Sequence, residues 1–356
     1  MRAVVDVHAH LYPPQFGRSE IDAWADASAA AVRAWHAEGG RAGSGGGMPA
    51  HAVLSVPESV DDCEAIAAEA ARLRERIAAV HGLPPAACGF LPCVGVHPVQ
   101  PVHAAEADSG SGDVPATPGA MTNRTRCPTL ADVDAIRPLL ERLHADGQLA
   151  AVGECGLDFS PHVLKSARAE WPSAVSDADA DTPRAVSDDE IKEAQRAVFA
   201  RHIELASALG LPLNVHSRNA GHHAVTMLLA SQARGVLHAF DGRASHALRA
   251  IQASSGALKL SVPACVVRSS VMQDWVRQVP LDALLIETDA PALPSVKGER
   301  NSVASYSEVV AYIARAKNVA PDVVEQITSE SAGRMFPAVR AWLDACASID
   351  PLSSGR

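Results

Sequence analysis

Ala3-Val4-Val5-Asp6-Val7-His8-Ala9-His10 is the stretch on which the reading of this chain turns. Its valine-rich apolar run reads as a buried strand. Residues i and i+2 of a strand point the same way, so His8 and His10 project together from its C-terminal end. Two imidazoles placed like this can hold one metal ion between them. His-X-His alone is also what a surface coincidence produces, so the rest of the chain decides. Later apolar runs end in ligand-type residues as well: Glu154, His216, His238 and Asp289.

The chain has 356 residues, 47% of them hydrophobic, which suits one barrel-sized core or two smaller domains. Lys and Arg total 31 against 41 Asp and Glu, a formal charge of −10. That excludes the basic footprint of a protein that grips nucleic acid by neutralising phosphates. Nucleic-acid chemistry here would need a local positive source, and bound divalent cations are the obvious one. Seven cysteines without CxxC pairs read as reduced thiols of an intracellular protein. The first strand starts directly after Met1 and Arg2, which leaves no room for a signal peptide. No run of about 18 apolar residues is there to span a membrane. The expectation is a soluble cytoplasmic or nuclear protein with no membrane association and no obligate protein partner.

Outward from the first strand the chain keeps a rhythm. Residues 19–37 carry apolar positions at helical spacing, 51–56 read as a strand, and 58–81 as a helix with Gly82 as its cap. Strands follow at 88–96, 149–154, 211–216, 235–239, 257–261 and 283–289, with helices between them and at 305–317, 321–335 and 337–347. Eight strands, each followed by a helix, predict a TIM-type (β/α)8 barrel over 1–340 and a C-terminal tail over 341–356. Three segments rich in small or polar residues, 39–50, 104–128 and 165–188, read as insertions, the last two mobile. In such a barrel the active site lies at the C-terminal strand ends, where His8, His10, His97, Glu154, His216, His238 and Asp289 all fall. Any one of these histidines also reads as a buried side chain satisfied by backbone; the set together on one barrel face does not. His222 and His223 read as surface residues at a helix start, and Cys155 as a packing residue with no neighbouring base.

The same residues carry a resemblance. Val-Asp-Val-His-Ala-His-Leu at 5–11, Val-Gly-Val-His-Pro at 94–98, Val-Gly-Glu-Cys-Gly-Leu-Asp-Phe at 152–159, Asn-Val-His-Ser-Arg at 214–218, His-Ala-Phe-Asp-Gly at 238–242 and Glu-Thr-Asp-Ala-Pro at 287–291 resemble the TatD family of metal-dependent hydrolases. All six blocks occur in family order, and their details resemble in particular the third TatD-domain-containing deoxyribonuclease type of animals. The resemblance implies a TIM-type barrel, DNase activity and two divalent ions. His8, His10, Glu154 and Asp289 would surround one ion, and Glu154, His216 and His238 the other. The family usually carries Asn-(Glu)-Pro shortly after the Asp block, whereas Arg300-Asn301 is followed here by Ser302-Val303.

The mechanism this implies is metal-dependent phosphodiester hydrolysis of a DNA substrate, the two divalent ions (zinc, magnesium or manganese) activating water. Glu154 would bridge the ions and Asp289, at the rim, would take or return the proton, which makes both catalytic. Arg218 and His97 would be the substrate-binding residues, holding the phosphate. Two alternatives stay open: a small-substrate amidohydrolase-type enzyme cleaving an amide, lactone or ester, and a non-catalytic metal-binding scaffold.

Overall fold

A computed structural model of the chain describes residues 1–37, 49–103, 121–171 and 185–349. In chain order the strands are β1 (Ala3–Ala9), β2 (Ala50–Ser55), β3 (Phe90–Val94), β4 (Gln100–His103), β5 (Met121–Arg126), β6 (Ala151–Asp158), β7 (Leu213–Arg218), β8 (Gly235–Leu237), β9 (Leu258–Val262) and β10 (Leu284–Ile286). The helices are α1 (Arg18–Ala37), α2 (Asp62–His81), α3 (Leu130–Ala145), α4 (Pro161–Ala169), α5 (Asp188–Leu209), α6 (Gly221–Ala230), α7 (Ala244–Ala253), α8 (Ser270–Gln278), α9 (Tyr306–Lys317), α10 (Pro321–Met335) and α11 (Pro337–Ala347). Eight strands close in the order β1-β10-β9-β8-β7-β6-β3-β2, all parallel, and β1 is the seam, pairing Val4 with His51 and Asp6 with Ile286. This is the predicted (β/α)8 barrel. Helices cover the outer face, so strands such as β1 and β6 are buried at every position, polar residues included.

The local signals act where the sequence puts them. Gly82 and Gly210 end α2 and α5 at φ 63° and 65°, the left-handed caps that only glycine adopts without cost. Ser187 accepts from the Glu190 N–H while Glu190 reaches back to the Ser187 N–H, a reciprocal N-terminal cap on α5. The C-terminal helices lock the seam: the Arg2 guanidinium donates to Glu325 at 2.8 and 2.9 Å, and Ser329 Oγ donates to the Ala3 carbonyl at 2.8 Å.

Three expectations change. Part of the 104–128 insertion is ordered: β5 pairs antiparallel with β4, Thr125 Oγ1 donates to Ser166 Oγ at 2.9 Å, and Arg126 clamps Asp132 with two 2.8 Å bonds. These polar bonds supply an order that no apolar period announced; residues 104–120 lie outside the described set. Of 165–188, the first residues belong to α4 and the last begin α5, while 172–184 lie outside, as do 38–48 of the first insertion. The tail from 341 onward is helical to Ala347, because Trp342 and Cys346 are buried against the barrel and Trp342 Nε1 donates to the Ala87 carbonyl at 3.1 Å. Residues 350–356 lie outside the described set. No helix among the described residues is long and apolar enough to cross a membrane.

Trp342 is 1% exposed, so Trp342→Ala should lower stability by about 3–5 kcal/mol, read as a lower denaturant midpoint. A midpoint within error of wild type would mean that α11 is a dispensable tail.

Candidate metal centre

Glu154 sits at the middle of the barrel mouth because its strand can approach β7 unusually closely. A Cβ on Gly156, at φ 140°, would stand 2.0 Å from the His216 carbonyl, and one on Gly153, at φ 156°, 2.5 Å from the Asn214 carbonyl. Only glycine fits either place. The two glycines around Glu154-Cys155 therefore let β6 lie against β7 with Glu154 beside His216.

Six predicted residues converge on this carboxylate or on each other. Glu154 Oε1 lies 2.8 Å from His216 Nδ1, 3.2 Å from His238 Nε2 and 3.5 Å from His97 Nε2. Its other oxygen, Oε2, lies 3.4 Å from His8 Nε2 and 4.0 Å from His10 Nε2. Asp289 Oδ1 faces the same pair at 3.5 and 3.3 Å. Only Arg218 stands apart. It is exposed on the wall of a cavity of about 480 Å³ that opens over these groups.

The outer nitrogens of the rings decide which way the lone pairs face. Asn214 Nδ2 donates to the Val7 carbonyl at 2.7 Å, so its Oδ1, 2.7 Å from His8 Nδ1, accepts a proton carried there. His10 Nδ1 donates to the Val56 carbonyl at 3.0 Å. His216 Nε2 faces the Asp158 carboxylate at 3.2 Å. In each ring the remaining nitrogen thus turns a lone pair inward. His8 Nε2 and Glu154 Oε2 are buried and have no hydrogen-bond partner, an arrangement that protein donors leave unsatisfied and a cation would satisfy. Histidine and carboxylate donors in groups of three, His8-His10-Glu154, His8-His238-Asp289 and His97-Glu154-His216, lie close enough to share ions. The residues fit a divalent metal.

Electrostatics agree. Burial would raise Glu154, yet the surrounding imidazoles hold it well below the usual carboxylate range. Burial would likewise lower His8, His10 and His216, but the facing carboxylates outweigh it and raise them to about 9, 10 and 9. His97 and His238 go the other way, to about 4, because burial dominates there.

Asp158, Asn214 and Glu287 lie inside the sequence motifs, where local pattern alone assigns them no role. Asp158 is held by the Ser160 N–H at 2.8 Å and, through its backbone, by both ends of the Gln195 amide, and it fixes the His216 ring. Glu287 accepts from Ser261 Oγ at 2.5 Å and the Ala239 N–H at 2.8 Å beneath His238. Asp6 binds Thr288 through its N–H and hydroxyl at 3.0 and 2.6 Å, tying β1 to the segment that bears Asp289. His222 is exposed, and Cys155 is fully buried, its thiol pushed well up by burial, as a packing residue should be.

A closed (β/α)8 barrel with buried histidines and carboxylates massed at its C-terminal strand ends defines the metal-dependent hydrolase class. Comparison with known proteins narrows it. The family model described as TatD related DNase matches residues 5–337. A mouse protein named putative deoxyribonuclease TATDN3 is 36% identical over 75% of this chain and 76% of its own length. The human deoxyribonuclease TATDN3 is 33% identical over 96% of this chain and 97% of its own. Among solved structures, the Escherichia coli TatD homologue YjjV aligns at TM-score 0.60, 20% identical, over 94% of this chain and 98% of that one. The chain belongs to the TatD-related DNase family.

Two outcomes follow. A proton and a metal ion compete for the same lone pairs, and the raised pKa values of His8, His10 and His216 keep them protonated at neutral pH in metal-free protein. Apparent metal affinity should therefore climb as pH rises from about 6 towards 9, with proton release visible as a buffer-dependent heat in calorimetry; a flat profile would refute the raised pKa values of these rings. Asp158→Asn should weaken metal affinity about 10- to 100-fold without lowering the melting temperature of metal-free protein. A variant that melts early but binds metal as wild type would make Asp158 a structural residue only.

Proposed function

We propose that this chain is a phosphodiesterase that hydrolyses DNA with two divalent ions. The observation that carries the reading is the split of Glu154: one oxygen faces His216 and His238, the other faces His8 and His10. A carboxylate with each oxygen turned to a different donor set suits a bridge between two ions. The names of the mouse and human relatives support DNA as the substrate. So does the charge of the cavity: Glu58, Asp62, Glu154, Asp158, Asp241 and Asp289 line it, against the single guanidinium of Arg218 among the described lining residues. Such a wall repels phosphate unless cations are bound in it. Seven unpaired, buried cysteines support a reducing compartment, cytoplasm or nucleus.

Bound there, the ions would supply Lewis-acid charge to the scissile phosphate and lower the pKa of water. The chain does the rest. His8, His10, Glu154 and Asp289 form one donor set and Glu154, His216 and His238 the other. Asn214, Val56 and Asp158 hold the rings so that no reorganisation is needed on binding. Arg218, on the cavity wall, offers a planar fork to phosphate oxygens. Asp289, 6% exposed at the rim, is the residue placed to take a proton from the attacking water or return it to the leaving oxygen.

A small-substrate hydrolase is the second reading, and the cavity volume favours it: about 480 Å³ lies within the range of small-molecule sites and takes a frayed nucleotide end but not a duplex.

The test uses a 3′- or 5′-labelled single strand beside bis-p-nitrophenyl phosphate and p-nitrophenyl acetate, with and without chelator. Expected are chelator-sensitive cleavage of the DNA and the diester, and a loss of roughly 1,000-fold or more in Glu154→Gln per folded molecule. Hydrolysis of the acetate alone would move the assignment to the second reading; wild-type turnover in Glu154→Gln would overturn the bridging role.

A further inference from the structure

We infer that His97 is a direct ligand of the ion held by Glu154 and His216, and not, as the sequence led us to expect, a substrate contact. The inference rests on the two-ion reading above and adds a residue to it.

The ring is anchored on its outer side. His97 Nδ1 lies 3.1 Å from both the Val99 carbonyl oxygen and the Val99 amide nitrogen; the tautomer that donates to the carbonyl leaves the lone pair on Nε2, and that is the one a cation beside Glu154 and His216 selects. The His97 carbonyl accepts from Gln100 Nε2 at 2.9 Å, and Gln100, 1% exposed, accepts in turn from the Val60 N–H at 3.1 Å. The loop after β3 is thus pinned to the segment leading into α2, and the imidazole is delivered to a set place. Its side chain is 16% exposed and lines the cavity beside Glu154 and His216.

What it meets there is a set of acceptors. Nε2 lies 3.3 Å from His216 Nδ1 and 3.5 Å from Glu154 Oε1, and those two atoms are 2.8 Å apart. His238 Nε2 reaches the same two atoms at 3.3 and 3.2 Å. Asp158 takes the His216 proton on the far side of that ring, so His216 Nδ1 brings a lone pair too. A single proton could satisfy one such contact; a shared cation satisfies all of them. The spacing fits. Two donors about 2.0–2.1 Å from one ion at a tetrahedral angle stand about 3.3–3.4 Å apart. Four of these separations fall within 0.2 Å of that: 3.3 and 3.5 Å from His97, and 3.3 and 3.2 Å from His238 to His216 and Glu154; the fifth, 2.8 Å between His216 and Glu154, is shorter.

The consequence is chemical. With His97 this ion takes imidazoles from His97, His216 and His238 and one carboxylate oxygen. The other takes two imidazoles and the carboxylates of Glu154 and Asp289. Imidazole-rich sets favour zinc or cobalt, and carboxylate-rich ones accept magnesium or manganese more readily. The two sites should therefore differ in affinity for zinc, with the His97 site filling first.

The test is zinc titration of chelator-stripped full-length protein by calorimetry, with elemental analysis of the same samples, for wild type, His97→Ala, His97→Gln and Arg218→Ala. Thermal midpoints of the metal-free forms serve as the folding control. Expected are about two sites in wild type and the loss of about 100-fold or more in affinity at the tighter site in both His97 variants. Arg218→Ala should bind zinc as wild type does. With one equivalent of cobalt(II), the intense visible absorption of a tetrahedral site should drop in His97→Gln. Zinc binding in both His97 variants that matches wild type, with only a higher KM for DNA, would overturn the ligand role and leave the two-ion reading standing. Fewer than two sites in wild type would bring down that reading itself, and the inference with it.

Discussion

One buried carboxylate governs the mouth of this barrel. Glu154 is 2% exposed, and an isolated carboxylate taken that far from water would cost several kcal/mol. The imidazoles of His8, His97, His216 and His238 around it reverse the balance and hold it ionised. The dependence runs both ways, because three of the rings whose pKa values are raised owe this to Glu154 and its neighbour carboxylates. Carboxylates and imidazoles are thus mutual conditions for burial. A cluster balanced in this way exchanges protons for divalent cations with little rearrangement.

The cluster is held by partners that come from almost every part of the chain. Asn214 on β7 sets His8 on β1; the Val56 carbonyl after β2 sets His10; Asp158 at the end of β6 sets His216 on β7. Asp6 and Thr288 join the first and last strands beneath it. Each of these three rings is oriented by an element other than its own, so this part of the site exists only when the barrel is closed. This explains why the seam is reinforced from outside by Arg2–Glu325 and by Ser329 on the Ala3 carbonyl, far from any chemistry. Precision at the mouth requires closure at the seam.

The acidity of the protein is consistent with its class rather than in tension with it. A chain that carries a formal charge of −10 and lines its cavity with carboxylates cannot attract a polyanion by itself. Bound cations would place the positive charge only where the reacting group sits, and the rest of the surface would stay weakly binding.

The amino-acid sequence determined the barrel and the identity of the inward-facing residues, because both are local. A valine run that ends in His-X-His is a strand with two parallel side chains by period alone, and eight strand–helix alternations leave few other topologies. It also led us wrong where local pattern and tertiary contact part company. The stretch 121–126 has the composition of a loop and is a strand because Thr125 and Arg126 find Ser166 and Asp132. The residues from 341 follow the barrel in sequence but belong to its core because Trp342 finds a buried place beside Ala87. Tertiary structure alone decided which nitrogen of each histidine is free, that Asp158 holds a ring on the neighbouring strand and Asn214 one across the barrel, and that His97 reaches Glu154. Those are contacts between residues separated by up to about 200 positions, and their geometry is set by how strands tilt and close, which no local period encodes.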